Sequence, residues 1–381
     1  MKDMIKKKII MVSDSFPPVP SGVSKYSFFL TKKLLERGYD VSVITGGVKN
    51  KPQEEIEIEK LGGKVIRVGK LISVIANGTR CFITLPSPYD LYKLKKIFSS
   101  YHDVVIMQGP LGLTLPYPAT LFSKAKKIGI FHSVTDKPNL GFILFKRIMR
   151  PFLDALDEKI AVSRSAKNEI EKYFGNQNID IIPPGIDTKI YSPSAGKRYN
   201  DKLIFLFVGR LDERKGADIL IRAWQRIKKE GIKKGNKVPS QLFIVGDGSM
   251  RQNLENEVKN KKIEGVKFFG FIEEKKLPEI YASADICVFP SKGGESFGIV
   301  LIEAMSSGCC VIASKIRGYQ DVISDGKTGI LFSNEKELIS FSEKLSQEET
   351  MREELSKNAM EESKKYDWDK IVDLIEEKIK N

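Results

Sequence analysis

The chain has few of the residues that most often carry chemistry by themselves. Among 381 residues there are two histidines, two tryptophans and four cysteines. The cysteines (Cys81, Cys287, Cys309 and Cys310) form no C-x-x-C, and the vicinal pair does not bridge without strain. They read as reduced core residues, which argues against a disulfide framework and for a cytoplasmic protein. No apolar run approaches the ~18 residues that span a bilayer. The stretch Ile9–Val12, behind Lys6, Lys7 and Lys8, is too short for a signal-peptide core. Also missing are a zinc pattern, an RNA-binding strand signature, a basic stripe with interleaved aromatics, and any low-complexity tract or solenoid-length repeat. Nucleic acid is therefore not an expected partner. There is no G-x-G-x-x-G, so no dinucleotide signature competes. The one D-x-D, Asp367–Trp368–Asp369, lies in a helical pattern near the C-terminus rather than after a strand. Neither a metal site nor a cofactor is expected.

What is present is the composition of a globular protein, 41% hydrophobic and 29% charged, with a length that suggests two domains. The formal charge is +14. Nearly all of the excess lies in the first half, which suits a polyanion or an anionic membrane there. Lysine enrichment for solubility explains it equally well.

Short β-branched runs alternate with helical patterns throughout. In the first half Lys7–Ser13, Tyr39–Thr45, Lys64–Val68, Asp103–Gln108, Lys127–His132 and Lys159–Ser163 read as buried strands. Val23, Tyr26, Leu30 and Leu34 recur at helical spacing, and Gly38 closes that helix. After the polar stretch Ser192–Asp201, which reads as a linker, LIFLFVG, QLFIVGDG, VKFFGF, DICVFP, CCVIAS and TGILF follow as strands. Two successive βα arrays predict an α/β protein with two doubly wound sheets, residues 1–190 and 191–365. A closed eight-fold barrel is the alternative, disfavoured by the linker and the second strand–glycine start. The tail, about 366–381, is helical, and its Trp368, Ile371, Leu374 and Ile375 are free to pack back on the first domain. Sheets of this kind bind ligands beyond the carboxyl ends of their strands, so the ligand is expected in a cleft between the two.

The segment Phe289–Gly308, FPSKGGESFGIVLIEAMSSG, is the most informative. A strand ends at Pro290, a glycine-rich turn follows, and a helix starts near Phe297 or Gly298. Exposed amides at a helix start suit a phosphate. Glu295 and Glu303 are eight residues apart, ~12 Å along a helix. That is too far for one acid–base pair and suited to opposite ends of an extended ligand. In VGRLDERKG (Val208–Gly216), Arg210, Arg214 and Lys215 gather in one βα loop, where cations suit a diphosphate.

The segment GGESFGIVLIEAMSSG resembles the E-x7-E motif of the GT-B retaining glycosyltransferases of family 4, with its nearest likeness to the phosphatidylinositol mannosyltransferases. VGRLDERKG resembles their G-R-x4-K-G loop, GIFHSVTDK (Gly129–Lys137) their acceptor-side histidine segment, and RPFLDALDEKIAVS and VPSGVSKYS extend the likeness over nearly the whole chain. The resemblance implies a metal-independent hexosyltransferase using a nucleotide-diphosphate sugar, GDP-mannose above others, and a lipid headgroup acceptor. It assigns Arg210 and Lys215, with Arg214, to the diphosphate, and Glu295 to the sugar hydroxyls. The amides of Phe297 and Gly298 would approach sugar and phosphates, with Ile299, Val300 and Leu301 lining that wall. Glu303 would take the ribose, and Ile272, Glu273 and Glu274 would lie nearest the base. Gly22, in the first βα loop, would let backbone approach the donor phosphates. On the acceptor side it implies His132 and Lys137, and in the looser NGTR turn Asn77 and Arg80. Ser24 stands where the relatives carry a longer amide. A UDP-sugar enzyme acting on a soluble or polyprenyl-linked glycan, and a non-catalytic nucleotide-sugar-binding module, are the competing readings.

Finally, DLYKLKKIF (Asp90–Phe98) sets Leu91, Leu94, Ile97 and Phe98 on one helical face. Lys93 and Lys96 lie opposite, with Lys95 at the flank. Such a helix either covers a sheet or lies on an anionic membrane, and the relatives carry a similar lysine cluster for docking. The expectation is peripheral attachment to the cytoplasmic membrane face.

Overall fold

The computed structural model describes residues 7–76, 79–112, 114–136, 138–196, 203–233 and 241–380. The chain forms two compact units: Met1–Gly185 with Trp368–Asn381, and Ile186–Asp367.

In the first unit the order is β1 (Lys8–Val12), α1 (Gly22–Glu36), β2 (Asp40–Gly47), α2 (Gln53–Lys60), β3 (Lys64–Ala76), β4 (Thr79–Leu85), α3 (Pro88–Phe98), β5 (Val104–Gln108), α4 (Pro116–Phe122), β6 (Lys126–Phe131), α5 (Leu140–Asp154), β7 (Glu158–Ala161), α6 (Arg164–Phe174) and β8 (Asp180–Ile181). The strands make one sheet, β4-β3-β2-β1-β5-β6-β7-β8. Only the β3–β4 pair is antiparallel among them. Helices cover both faces, so β5 is buried along its length and β1 nearly so. That is why both read as unbroken apolar runs. The order reverses between β1 and β5, the switch point at which doubly wound sheets bind ligands.

The second unit contains β9 (Ile204–Val208), α7 (Ala217–Lys233), β10 (Gln241–Val245), α8 (Arg251–Asn260), β11 (Val266–Gly270), α9 (Leu277–Ala282), β12 (Ile286–Phe289), α10 (Ile299–Ser306), β13 (Cys310–Ser314), α11 (Arg317–Gln320), β14 (Ile330–Phe332), α12 (Glu335–Gln347) and α13 (Glu349–Ser363). Its sheet is wholly parallel, β11-β10-β9-β12-β13-β14, with the switch point between β9 and β12. The α/β class with two doubly wound sheets is therefore the architecture of the chain.

The last helix, Trp368–Lys380, belongs to the first unit. Trp368 stacks on Phe29 at 6.0 Å and leans on Tyr26 at 5.6 Å, and Ile371, Val372, Ile375 and Ile379 enter the same core. Leu374 does not: it stays exposed, because the buried stripe runs 368–371–375–379 and leaves it to one side. Arg37 pairs with Asp373 at 2.7 Å and Lys33 with Asp369 at 3.2 Å. The aspartates of the D-x-D thus serve structure. Asp369 pairs with α1, and Asp367 accepts from Thr188 at 2.5 Å.

The division at Gly185 has a local cause. Ile186 donates its amide to the Tyr366 carbonyl at 2.8 Å and joins the second core, as does Tyr191. Gly185 lies against Trp368, where a Cβ would stand 2.3 Å from the indole.

Candidate active site

The carboxyl ends of β9 and β12 supply the two loops that meet at the second switch point. The first loop, Gly209–Gly216, ends in a short helical turn capped by Asp212, whose side chain accepts the Lys215 amide. Gly216 is left-handed (φ 71°), and a Cβ there would stand 2.0 Å from the Pro290 carbonyl oxygen. Only glycine lets the loops approach so closely. They are also tied directly, the Lys292 amide donating to the Arg214 carbonyl at 2.7 Å.

This approach sets Lys215 Nζ 2.7 Å, and Arg214 Nη1 3.0 Å, from Glu295 Oε1. Arg214 Nη1 also donates to the Gly294 carbonyl at 2.7 Å. Arg210 lies on the same loop, 3.4 Å from Asp212, with its guanidinium partly in solvent. Four residues chosen from sequence therefore lie on two adjoining loops, and three make one ion cluster. A carboxylate shared by two cations, each largely withdrawn from water, fixes charge in a place where an incoming polyanion can compete for it.

Beyond the cluster, Gly298 is left-handed (φ 92°) and caps α10, which starts at Ile299. Ile299 and Val300 are half-buried. One expectation needs correction. Leu301 lines no outer wall: it is fully buried in the second core, because its position on α10 faces the sheet. The Phe297 ring is buried too, edge-on to Tyr366 at 5.4 Å, which leaves only its backbone for a ligand.

Glu303 is 2% exposed and accepts the Tyr281 hydroxyl at 2.8 Å. Tyr191 donates to Glu274 at 2.7 Å. Burial, then the charge of Glu303, pushes the Tyr281 phenol well up. Glu273 is exposed and pairs with Lys275 at 3.1 Å, which lowers its carboxyl. Ile272 is half-buried beside Phe271, which is 72% exposed.

Several groups here carry no motif and were missed in sequence. Tyr319 and Ser291 are buried and hydrogen-bonded at 2.8 Å, and burial together with the nearby Glu295 charge raises the Tyr319 phenol well above its ordinary value. Tyr191 and Tyr281 belong with them. A buried polar ring shows in sequence only as one more aromatic, so no local signal was available.

In the first unit His132 follows β6, its Nε2 2.6 Å from Gln108 Oε1 at the end of β5 and its ring edge-on to Tyr26 at 5.0 Å. Burial lowers its pKa to about 3, so the ring is neutral. At the end of β1, Asp14 accepts from the Thr84 amide at 3.0 Å and from the Thr114 hydroxyl. Burial raises its carboxyl despite those bonds. A polar residue ending an apolar strand could have flagged both Asp14 and Gln108.

Gly22 is not in a loop but is the first residue of α1, behind the Ser21 cap. Ser24 is 2% exposed and gives its amide to Ser21 Oγ at 3.1 Å, the capping bond of α1. It offers nothing to solvent. Asn77 and Lys137 lie outside the described residues. Arg80 is in β4, in register with Ile75, in a strand pair that sequence reading missed beyond Val68. His102 bonds Ser123 and the Ser100 carbonyl, a structural arrangement.

Lys93, Lys95 and Lys96 are exposed on α3, while Leu94 and Phe98 are buried, so much of the apolar face of that helix covers the sheet. Leu91 is 41% exposed. Among the described residues no helix is long and apolar enough to cross a membrane, and no group of three or more His, Cys, Asp or Glu could hold a metal ion.

Two doubly wound units with a cationic loop at the second switch point define the GT-B architecture. The solved glycosyltransferase from Rickettsia africae superposes with a TM-score of 0.75 at 19% identity, over 99% of this chain and 98% of its own. Anabaena HepE, solved with UDP and glucose, gives 0.76 at 18%, over 98% and 99%. Residues 20–190 match the model of Glycosyltransferase Family 4 and residues 192–362 that of Glycosyl transferases group 1. The chain belongs to these glycosyltransferases. Similar curated proteins include the phosphatidyl-myo-inositol mannosyltransferase of Mycolicibacterium smegmatis, 29% identical over 321 residues, 82% of this chain and 77% of the relative. The gpi3 subunit of the phosphatidylinositol N-acetylglucosaminyltransferase of Schizosaccharomyces pombe is 25% identical over 338 residues, 86% and 70%.

Proposed function

We propose that this glycosyltransferase moves mannose from GDP-mannose to a phosphatidylinositol-type headgroup, with retention of configuration and without a divalent metal. The observation that carries the reading is the cluster of Arg214 and Lys215 on Glu295, with Arg210 on the same loop. As the sugar–phosphate bond breaks, negative charge grows on the leaving diphosphate. Cations already in position stabilise that state more than the ground state. Arg210, Arg214 and Lys215 take the diphosphate and do the work given elsewhere to a divalent ion.

The amides of Phe297 and Gly298 approach the sugar and phosphates, Ile299 and Val300 flank them, and Glu295 turns to the sugar hydroxyls. Glu303, steadied by Tyr281, faces the ribose, and Ile272, Glu273 and Glu274 lie nearest the base. The lipid hydroxyl forms its bond to the anomeric carbon on the face that the diphosphate leaves. The electron pair of the broken bond goes to the phosphate oxygen, which also receives the hydroxyl proton. His132 serves the acceptor as a neutral hydrogen-bonding group. Lys137, Asn77 and Arg80 are the acceptor contacts that the resemblance implies, and attachment is peripheral to the cytoplasmic membrane face.

The lipid acceptor is supported by two sets of relatives whose names both specify a phosphatidylinositol. The second set favours one other reading, transfer of N-acetylglucosamine to the same lipid. Calorimetric titration with GDP and UDP separates the donors, and nucleotide sugars incubated with membrane lipid, with products resolved by mass, test the acceptor. No glycolipid from any donor would overturn the proposal.

A further inference from the structure

Helix α5 turns an apolar face to solvent. A helix lying on a sheet is normally polar on its outer side. The inner side of α5 is accounted for: Met149 and Leu153 are buried, and Phe142 packs edge-on to Tyr173 at 5.4 Å and Phe174 at 5.6 Å. At ~100° per residue the opposite side carries Leu140, Ile143, Leu144, Arg147 and Ile148. The four aliphatics are 66%, 51%, 72% and 53% exposed. Their exposure is no accident of a weakly seated helix, since the core-facing side is occupied. The neighbouring α4 continues the patch through Tyr117, whose ring meets Phe152 of α5 at 4.7 Å, and through the exposed Leu121.

Charge selects the occupant. Lys146, Arg147 and Arg150 are all exposed on this helix, and its single acid, Asp154, is paired with Arg150 at 2.9 Å. Two copies meeting through this face would bring their Arg147 side chains together. An anionic bilayer gives those cations counter-charges while the aliphatics enter the boundary between headgroups and acyl chains. Helix α3 offers less of this, with Leu94 and Phe98 in the core.

We propose that the outward face of α5 inserts into the interfacial layer of an anionic membrane, with Arg147 reaching up to the lipid phosphates. The inference rests on the lipid-acceptor reading for its purpose, though not for its geometry. It assigns the apolar anchor to α5 and leaves electrostatic attraction to the lysines of α3.

The two native tryptophans are buried, so Leu144→Trp adds the one exposed indole. With vesicles of phosphatidylglycerol and bromine-labelled phosphatidylcholine, its emission is expected to shift to the blue and be quenched. Leu144→Gln combined with Ile148→Gln should weaken vesicle binding about tenfold or more, with an unchanged melting temperature because both positions are exposed. An unquenched indole, or a blue shift without vesicles that grows with protein concentration, overturns the proposal. Transfer is assayed separately on detergent-dispersed lipid. A quenched indole without glycolipid product upholds the docking and rejects the acceptor reading, and product with an unquenched indole rejects the docking alone.

Discussion

Gly318 faces the backbone of Glu295 so closely that a methyl group at 318 would stand 2.1 Å from the Glu295 carbonyl oxygen. Helix α11, four residues long, thereby acts as a backstop for the loop that carries the acidic member of the ion cluster. Gly318→Ala must displace that loop. We expect a soluble protein destabilised by about 1–3 kcal/mol, with transfer lost out of proportion, since Glu295 moves off Lys215 and Arg214. A thermal melt alongside a turnover assay checks this. Full activity in a folded Gly318→Ala protein would show that the loop position does not matter.

Lys215 and Arg214 share one oxygen of Glu295, so removing either kind of charge leaves a different remainder. In Lys215→Ala the Arg214–Glu295 pair survives, and the fold should hold. The rate should fall about 100- to 1000-fold, the usual scale for loss of one preorganised charge-stabilising group. The Michaelis constant should rise less, because the charge acts most as the bond breaks. Glu295→Gln leaves two cations with a weaker partner, and the resulting excess of positive charge should tighten inorganic diphosphate binding while abolishing transfer. Equal diphosphate affinity in wild type and Glu295→Gln would contradict the shared-oxygen picture.

How much of this was legible in sequence depended on whether one local pattern carried the signal. The buried strands were, because both-face burial leaves an unbroken apolar run, as in Ile9–Val12 and Ile204–Val208. The two loops at the second switch point were, because Gly216 and Gly298 mark backbone that other residues rarely adopt, and charged residues of the ion cluster lie close to them in sequence. The β3–β4 pair was only half seen. Past Val68 its strands mix polar and apolar residues, and antiparallel pairing is a relation between segments rather than a property of either. Leu301 and Ser24 were misread for a related reason: sequence places a residue on a helix, but only the packed structure says which side faces the sheet. The tyrosines on Glu303 and Glu274 were invisible, since hydrogen bonds spanning 22 and 83 residues leave no periodicity.

Trp368 is the hinge of a packing prediction. Its indole fills the space that Gly185 leaves open and contacts Tyr26 and Phe29 of α1. Trp368→Ala should cost about 3–5 kcal/mol and loosen the C-terminal helix, read as faster amide exchange at Ile371 and Ile375. Gly185→Ala should also destabilise, because the new methyl group meets the ring. Combining the two should recover part of the loss, since the small side chain at 368 makes room for the one at 185. Strict additivity of the two costs would mean that they do not share this space.

His132 yields a prediction in pH. Burial holds its folded-state pKa near 3, against an ordinary value of 6.5. Above pH 6.5 the ring is neutral in folded and unfolded chains alike, and nothing is lost. Below 6.5 the unfolded chain takes up a proton that the folded one refuses, so stability falls by about 1.4 kcal/mol for each further pH unit until about pH 3. His132→Gln keeps a hydrogen-bonding side chain near Gln108 but has no proton to gain. Its denaturant midpoint should therefore fall less steeply than wild type between pH 6 and about pH 4. The same neutrality bears on catalysis. A ring that does not protonate in the working range cannot act as a titrating acid, so the rate profile should show no step near 6.5 that His132→Gln removes. Should such a step be present in wild type and absent in the variant, the imidazole exchanges protons during transfer, and its role as a neutral hydrogen-bonding group would have to be abandoned.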